Sequence, residues 1–206
     1  MHISQKAIDE RFQFTNLNEY KAFEAEAKSI ILLCGHYASY EWVLSMNNKI
    51  NRTGFAIYKR IANPYFDKLV RKIRGRFKAE LIPTKDTVSV ITQNETEHNL
   101  GIYGFATDQT PRANKAHLWM NFLNKEVPVY TGGEFLAKKF DMHVVYLHVR
   151  KKSRGHYLAT FEFVPKPARE YPDYQLTENY MRSLEALIHE APEYYLWTHK
   201  RFKYAK

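Results

Sequence analysis

Ile30-Ile31-Leu32-Leu33-Cys34-Gly35-His36-Tyr37-Ala38-Ser39-Tyr40-Glu41-Trp42 is the stretch on which the reading of this chain turns. Ser29 to Cys34 is a continuous apolar run and reads as a strand buried on both faces. Gly35 and His36 follow as a turn, and Tyr40 to about Lys49 reads as a helix. A buried strand, a turn and a helix in that order are one unit of an α/β domain.

The same alternation extends in both directions. Before the block, Leu17 to Ala27 reads as a helix with Tyr20, Phe23 and Ala27 at helical spacing. After it, Phe55–Tyr58 is a strand. Pro64 opens a helix whose apolar stripe is Phe66, Leu69, Val70 and Ile73. Ala79–Ile82 is a short strand closed by Pro83, Thr87 to about Glu97 a helix, and Ile102–Ala106 a strand ending at Thr107-Asp108-Gln109. Gly132-Gly133 opens a helix through Phe140. Val144–Val149 is a strand, with Tyr157–Val164 alternating sides as its antiparallel partner. Pro165–Pro172 is a loop, Leu176–His189 a long amphipathic helix, and Trp197–Lys206 a basic, aromatic tail. The expected fold is α/β, with a mixed, mostly parallel sheet flanked by helices. Functional groups in such sheets gather beyond the carboxyl ends of the strands. His36, Lys59 and Asp108 fall there.

Composition narrows the class. No Pro/Gly/Ser-rich linker divides the 206 residues, so they read as one domain over 1–206. Aromatic residues make up 15%, more than core filling asks for, and suit an apolar groove or a membrane-facing surface. The net charge of +9, from 31 basic and 22 acidic residues, fits acidic partners: nucleic acid, anionic lipid headgroups or an acidic protein. Cys34 is the single cysteine, so no intrachain disulfide forms; inside its apolar run it reads as a small buried hydrophobe. No stretch approaches the ~18 apolar residues that span a bilayer. The nine histidines are scattered without metal-ligand spacing, so no metal site is expected.

His36 and Glu41 form a His-x4-Glu pair. Within one regular helix five positions turn through ~500°, or ~140° net, which points the two side chains apart. They meet only if His36 lies in the turn and Glu41 in the helix. Glu41 then holds one imidazole nitrogen while the other takes a proton from a substrate hydroxyl. As bare spacing the pair is common by chance, and its weight comes from the surrounding sequence.

The block Ile30–Trp42 resembles the catalytic block of the late acyltransferases of lipid A biosynthesis, within the lysophospholipid and glycerol-phosphate acyltransferase superfamily. Further blocks resemble the family's in the same order. Ile57-Tyr58-Lys59-Arg60 with Asn63-Pro64-Tyr65-Phe66-Asp67 is similar to its substrate-contact segment, and Arg74-Gly75-Arg76-Phe77 through Pro83 to the stretch that follows. Asp108-Gln109 resembles its Asp-Gln turn, Thr131-Gly132-Gly133 its glycine-opened helix, and Ala191–Lys203 its C-terminal signature. The resemblance runs from Ser29 to Lys203.

The resemblance implies a glycerol-phosphate acyltransferase-like fold and transfer of a fatty acyl group to a hydroxyl of a lipid A precursor. The donor would be a thioester of acyl carrier protein or CoA. His36 would be the general base and Glu41 its orienting carboxylate. Tyr58, Lys59, Arg74, Arg76, Asp108, Gln109 and Arg150 would bind substrate. Lys59 stands where many members have Arg, which keeps a cation but loses a bidentate fork. Trp197, His199, Arg201 and Lys203 suit either a membrane interface or packing on the core. No cofactor is implied. Members usually carry a membrane-anchoring helix before the catalytic block. Only residues 1–29 precede the block here, so either a truncated chain or a peripheral form lacking that anchor is expected, at the cytoplasmic face of the bacterial inner membrane. Alternatives are a lysophospholipid, glycerol-phosphate or aminolipid acyltransferase, a catalytically dead lipid binder, and a basic nucleic-acid-binding module. Dispersed basic residues and the lack of a nucleic-acid-binding signature count against the last.

Overall fold

The computed structural model describes residues 3–206. In chain order the first half holds α1 (Gln5–Arg11), β1 (Phe12–Phe14), α2 (Leu17–Glu24), β2 (Ile30–Cys34), β3 (Thr53–Tyr58), α3 (Pro64–Arg74), β4 (Glu80–Pro83) and α4 (Thr87–Thr96). The second half holds β5 (Gly101–Ala106), β6 (Leu118–Phe122), β7 (Lys125–Val129), α5 (Gly132–Phe140), β8 (His143–Ser153), β9 (His156–Phe163) and α6 (Gln175–Glu190).

Seven strands form one sheet in the order β1-β9-β8-β2-β5-β3-β4. β8, β2, β5, β3 and β4 run parallel, β9 turns back antiparallel to β8, and β1 lies parallel to β9. The expected mixed, mostly parallel sheet with flanking helices is what the chain forms. β2 sits inside it, and its alternate residues feed two cores. Ile31 and Leu33 pack with α5, α6 and the β6–β7 hairpin, while Ile30 and Leu32 pack with α1, α2 and Met46. A strand covered on both faces needs the unbroken apolar run Ile30–Leu33.

Three departures from the expected elements have local causes. Tyr40–Asn48 is a 3-10 helix, with Trp42 N–H donating to Ser39 O and Lys49 N–H to Met46 O. Ser45, Asn47 and Asn48 are weak α-formers in that stretch, which favours the tighter winding. The hairpin β6–β7 and the N-terminal α1–β1 unit were not anticipated. The hairpin turns through Leu123 and Asn124, both at positive φ, 51° and 61°, which matches a two-residue primed turn. The stripe expected on α3 exists, but Phe66, Leu69 and Ile73 are exposed and the helix contains no buried residue.

Candidate active site

The site follows from the register of β2 against β5. Leu33 pairs with Phe105 and Cys34 with Ala106, and Thr107 N–H then donates to Cys34 O. Two residues beyond Cys34 and Ala106 stand His36 and Asp108, so two adjacent parallel strands deliver an imidazole and a carboxylate to one point. His36 Nδ1 lies 2.7 Å from Asp108 Oδ1, and the His36 backbone N–H donates to the same oxygen at 3.1 Å. Asp108 is almost fully buried and His36 retains a small exposed edge. A carboxylate oxygen that already accepts from the backbone N–H and lies on Nδ1 favours the tautomer with the proton on Nδ1 and the lone pair on Nε2. Gln109 Nε2 stands 3.2 Å from that second nitrogen, and the Tyr40 ring packs edge-on at 4.8 Å. Burial raises the Tyr40 phenol above its ordinary value, with Glu41 adding.

This corrects one expectation: the carboxylate on His36 belongs to Asp108, and Glu41 is turned to Arg74. Arg74 Nε donates to Glu41 Oε2 at 3.0 Å and Nη2 to Oε1 at 2.5 Å, a fork-to-fork contact that raises the guanidinium pKa. Ala38, at φ 50°, bends the chain between His36 and Glu41, so Glu41 leaves the first turn of the 3-10 helix toward α3. The Glu41–Arg74 pair still borders the site, for Glu41 and Arg74 both bear electrostatically on Tyr40.

The other predicted residues divide. Asp108 and Gln109 hold the two nitrogens of His36 rather than standing apart from it. Tyr58 is buried, its carbonyl accepting from Thr84 N–H and Oγ1, and it bears on Arg74. Lys59 is exposed just beyond the end of β3, and it adds last and least to the lowering of the His199 pKa that burial chiefly causes. Arg76 donates to Ile3 O and so ties down the N-terminal segment. Arg150 is held by Glu190 at 3.1 Å, on the end of α6. Cys34 has its thiol pushed up to about 12 by burial, with Asp108 and Glu41 adding, which suits an inert packing residue. Among the described residues no group of three His, Cys, Asp or Glu side chains is placed to hold a metal ion.

Of the two uses open to the tail, packing on the core is the one seen at His199 and Arg201, and its contacts with the site were not read from the sequence. Leu196 N–H donates to His36 O and Ala38 N–H to Tyr194 O, while Tyr195 OH reaches Asp108 O at 3.4 Å. His199 Nε2 accepts from Thr110 N–H at 3.1 Å, and Thr110 Oγ1 donates to Arg201 O. Arg201, 2% exposed, donates to Thr110 Oγ1 and Pro128 O and lies over the Phe122 ring at 5.3 Å. The tail therefore packs inward and brackets both strand-end turns. The basic–aromatic alternation that suggested a membrane interface is, at His199 and Arg201, a contact pattern with the site. Burial lowers the pKa of His199, and Arg201, His36 and Lys59 push the same way against Asp108.

A mostly parallel sheet with a histidine–carboxylate pair beyond two adjacent strand ends defines the class as an α/β protein with a strand-end site. The chain belongs to the bacterial lipid A biosynthesis acyltransferase family, whose model matches residues 1–204. No curated protein matches the chain closely enough to add to this. Membership makes the molecule an acyltransferase, with an acyl donor and a lipid acceptor.

Proposed function

We propose that this protein transfers a fatty acyl group from a thioester of acyl carrier protein, or of CoA, to a hydroxyl of a lipid A precursor, with His36 as general base. The observation that carries the reading is the 2.7 Å contact of His36 Nδ1 with buried Asp108, which leaves Nε2 as the basic nitrogen. Asp108 takes the orienting role that the sequence assigned to Glu41.

In the proposed reaction the acceptor hydroxyl displaces the Gln109 amide from Nε2 and donates its proton there. The oxygen attacks the thioester carbonyl, the C–O bond forms, and the C–S bond breaks. The proton on Nε2 passes to the departing sulfur, which leaves as a thiol. Asp108 stabilises the transient imidazolium and keeps the ring in one tautomer. A base aligned in this way contributes ~10²–10⁴-fold. Arg74, held by both oxygens of Glu41, would supply positive charge toward the carbonyl oxygen as it becomes negative. Lys59 is the cation at the end of β3 for an acidic headgroup. The enzyme would act at the cytoplasmic face of the inner membrane, on acceptors held in that surface.

Acyl transfer from acyl carrier protein thioester to a tetraacylated lipid A precursor in detergent, read by mass spectrometry, tests this directly. Wild type should add one acyl chain, His36→Ala should lose ~10²–10⁴-fold, and Asp108→Asn should lose a comparable factor in kcat with little change in KM. Equal product from wild type and His36→Ala would remove His36 from the role. Transfer only to lysophospholipid, run in parallel, would reassign the acceptor.

A further inference from the structure

α3 is an 11-residue helix in which every residue is exposed or half-buried. At about 100° per residue, Tyr65, Phe66, Leu69, Val70 and Ile73 fall in one arc of roughly 140°. Tyr65 is 85% exposed, Phe66 53%, Leu69 50% and Ile73 42%. Isolated exposed apolar residues are ordinary; four on one short helix face are a patch. Lys68 and Lys72 flank one margin of this arc and Arg71 follows them around the helix, while Asp67, Val70 and Arg74 are the half-buried side. Among the described residues no carboxylate pairs with Lys68, Arg71 or Lys72. These three cations instead line a cleft of about 350 Å³ with Gly75, Ala79 and Leu81, between the helix and the edge strand β4.

We infer that α3 is the element by which the protein seats on an anionic phospholipid surface. The Tyr65–Ile73 face enters the headgroup–acyl boundary, and lipid phosphate lies in the Lys68–Arg71–Lys72 cleft. The charge is complementary to anionic headgroups, and an apolar arc with a basic margin is the arrangement of helices that lie in a membrane interface. Position supports the same occupant. Arg74, on the protein side of the same helix, is held by Glu41 and bears on Tyr40, whose ring covers His36. The same helix thus carries, on its protein side, the ion pair that borders the proposed site and, on its outer side, the apolar face. The inference deepens the acyltransferase reading by naming the surface that presents its acceptor, and it rests on that reading for the acceptor alone.

Co-sedimentation of the full chain with vesicles separates the two, because no acyl transfer is measured. Phosphatidylcholine vesicles containing phosphatidylglycerol should bind the wild type more tightly than phosphatidylcholine alone. Leu69→Gln with Ile73→Gln should weaken that binding by at least about tenfold, with the thermal midpoint unchanged because neither side chain is buried. K68Q/R71Q/K72Q should remove the preference for anionic vesicles, on the order of a hundredfold. Equal binding by wild type and the Leu69/Ile73 variant would overturn the proposal. So would a dimer in sedimentation velocity that the variant dissolves while vesicle binding stands, which would assign the face to a second copy. Vesicle binding as expected, with a wild type inactive on every acceptor, would instead fail the reaction proposed for His36 and leave this inference standing.

Discussion

Asp108 and Glu41 are carboxylates at the same corner of the fold, and the backbone decides which of them meets the imidazole. Asp108 arrives on a strand in register with that of His36; Glu41 arrives after a left-handed residue, Ala38, and closes on Arg74. If Glu41 works through Arg74, removing either partner disables one unit. Glu41→Gln and Arg74→Ala should then each lower kcat/KM, and the double variant should be no worse than the poorer single one. Additive losses would return Glu41 to direct contact with His36. His199 gives a second residue-scale expectation. Its folded pKa lies below the ordinary 6.5, so between those two values the unfolded chain binds the proton that the native chain refuses. Stability therefore rises with pH in that window and falls as pH drops through about 6.5. His143 and His148 are depressed by burial in the same direction and share the slope. Protonation also removes the acceptor for Thr110 N–H. The thermal midpoint should decline from about pH 6.5 downward, and His199→Gln should flatten the decline without abolishing it. An unchanged slope would show that His199 is not one of its sources.

The segment after α6 behaves as an element although it has little regular structure. Its polar anchor is Arg201, whose Nη1 serves Thr110 Oγ1 and Pro128 O. Nε and Nη2 are buried without a partner among the described residues, and burial lowers the guanidinium pKa. Arg201→Ala should destabilise by about 2–4 kcal/mol, from lost charged hydrogen bonds and a cavity beside Phe122. Arg201→Met should recover part of that by refilling the space, yet remain slow, because the turn carrying Asp108, Gln109 and Thr110 has lost its brace. Urea midpoints and kcat for the two variants separate packing from positioning; wild-type turnover in Arg201→Met would limit Arg201 to packing. This interaction marks the boundary of what a single sequence shows. The strands from Ile30–Cys34 to Tyr157–Val164 and the helices after Pro64, Thr87, Gly132 and Leu176 were legible because each carries a local apolar pattern, in most cases with a Pro or Gly at a boundary. The β6–β7 hairpin was given no element, because Asn121, Lys125, Glu126 and Pro128 break the alternation that marks a strand. His36 was legible from its position after a buried strand. Its partner was not, since the register linking residue 36 to residue 108 leaves no local trace.

At the scale of the whole molecule the question is where a charge of +9 acts. Many cations are already engaged: Lys28 with Asp141, Lys49 with Asp9, Lys138 with Glu134 and Asp173, Arg150 with Glu190 and Arg182 with Glu185. These pairs are scattered over the surface and form no stripe matched to a duplex. Lys68, Arg71 and Lys72, by contrast, are grouped beside an apolar helix face, which suits a headgroup layer better than a phosphodiester backbone. The two uses of charge respond differently to salt. A protein held on nucleic acid only by dispersed cations loses affinity steeply as counterions compete, by orders of magnitude between about 50 and about 200 mM salt. A helix that also inserts apolar side chains keeps the hydrophobic part of its binding in the same range. At about 200 mM salt a duplex oligonucleotide should therefore show no retarded complex, while vesicles containing phosphatidylglycerol still sediment the protein. The reverse pattern would mean that the charge serves nucleic acid and that the apolar face of α3 has another occupant.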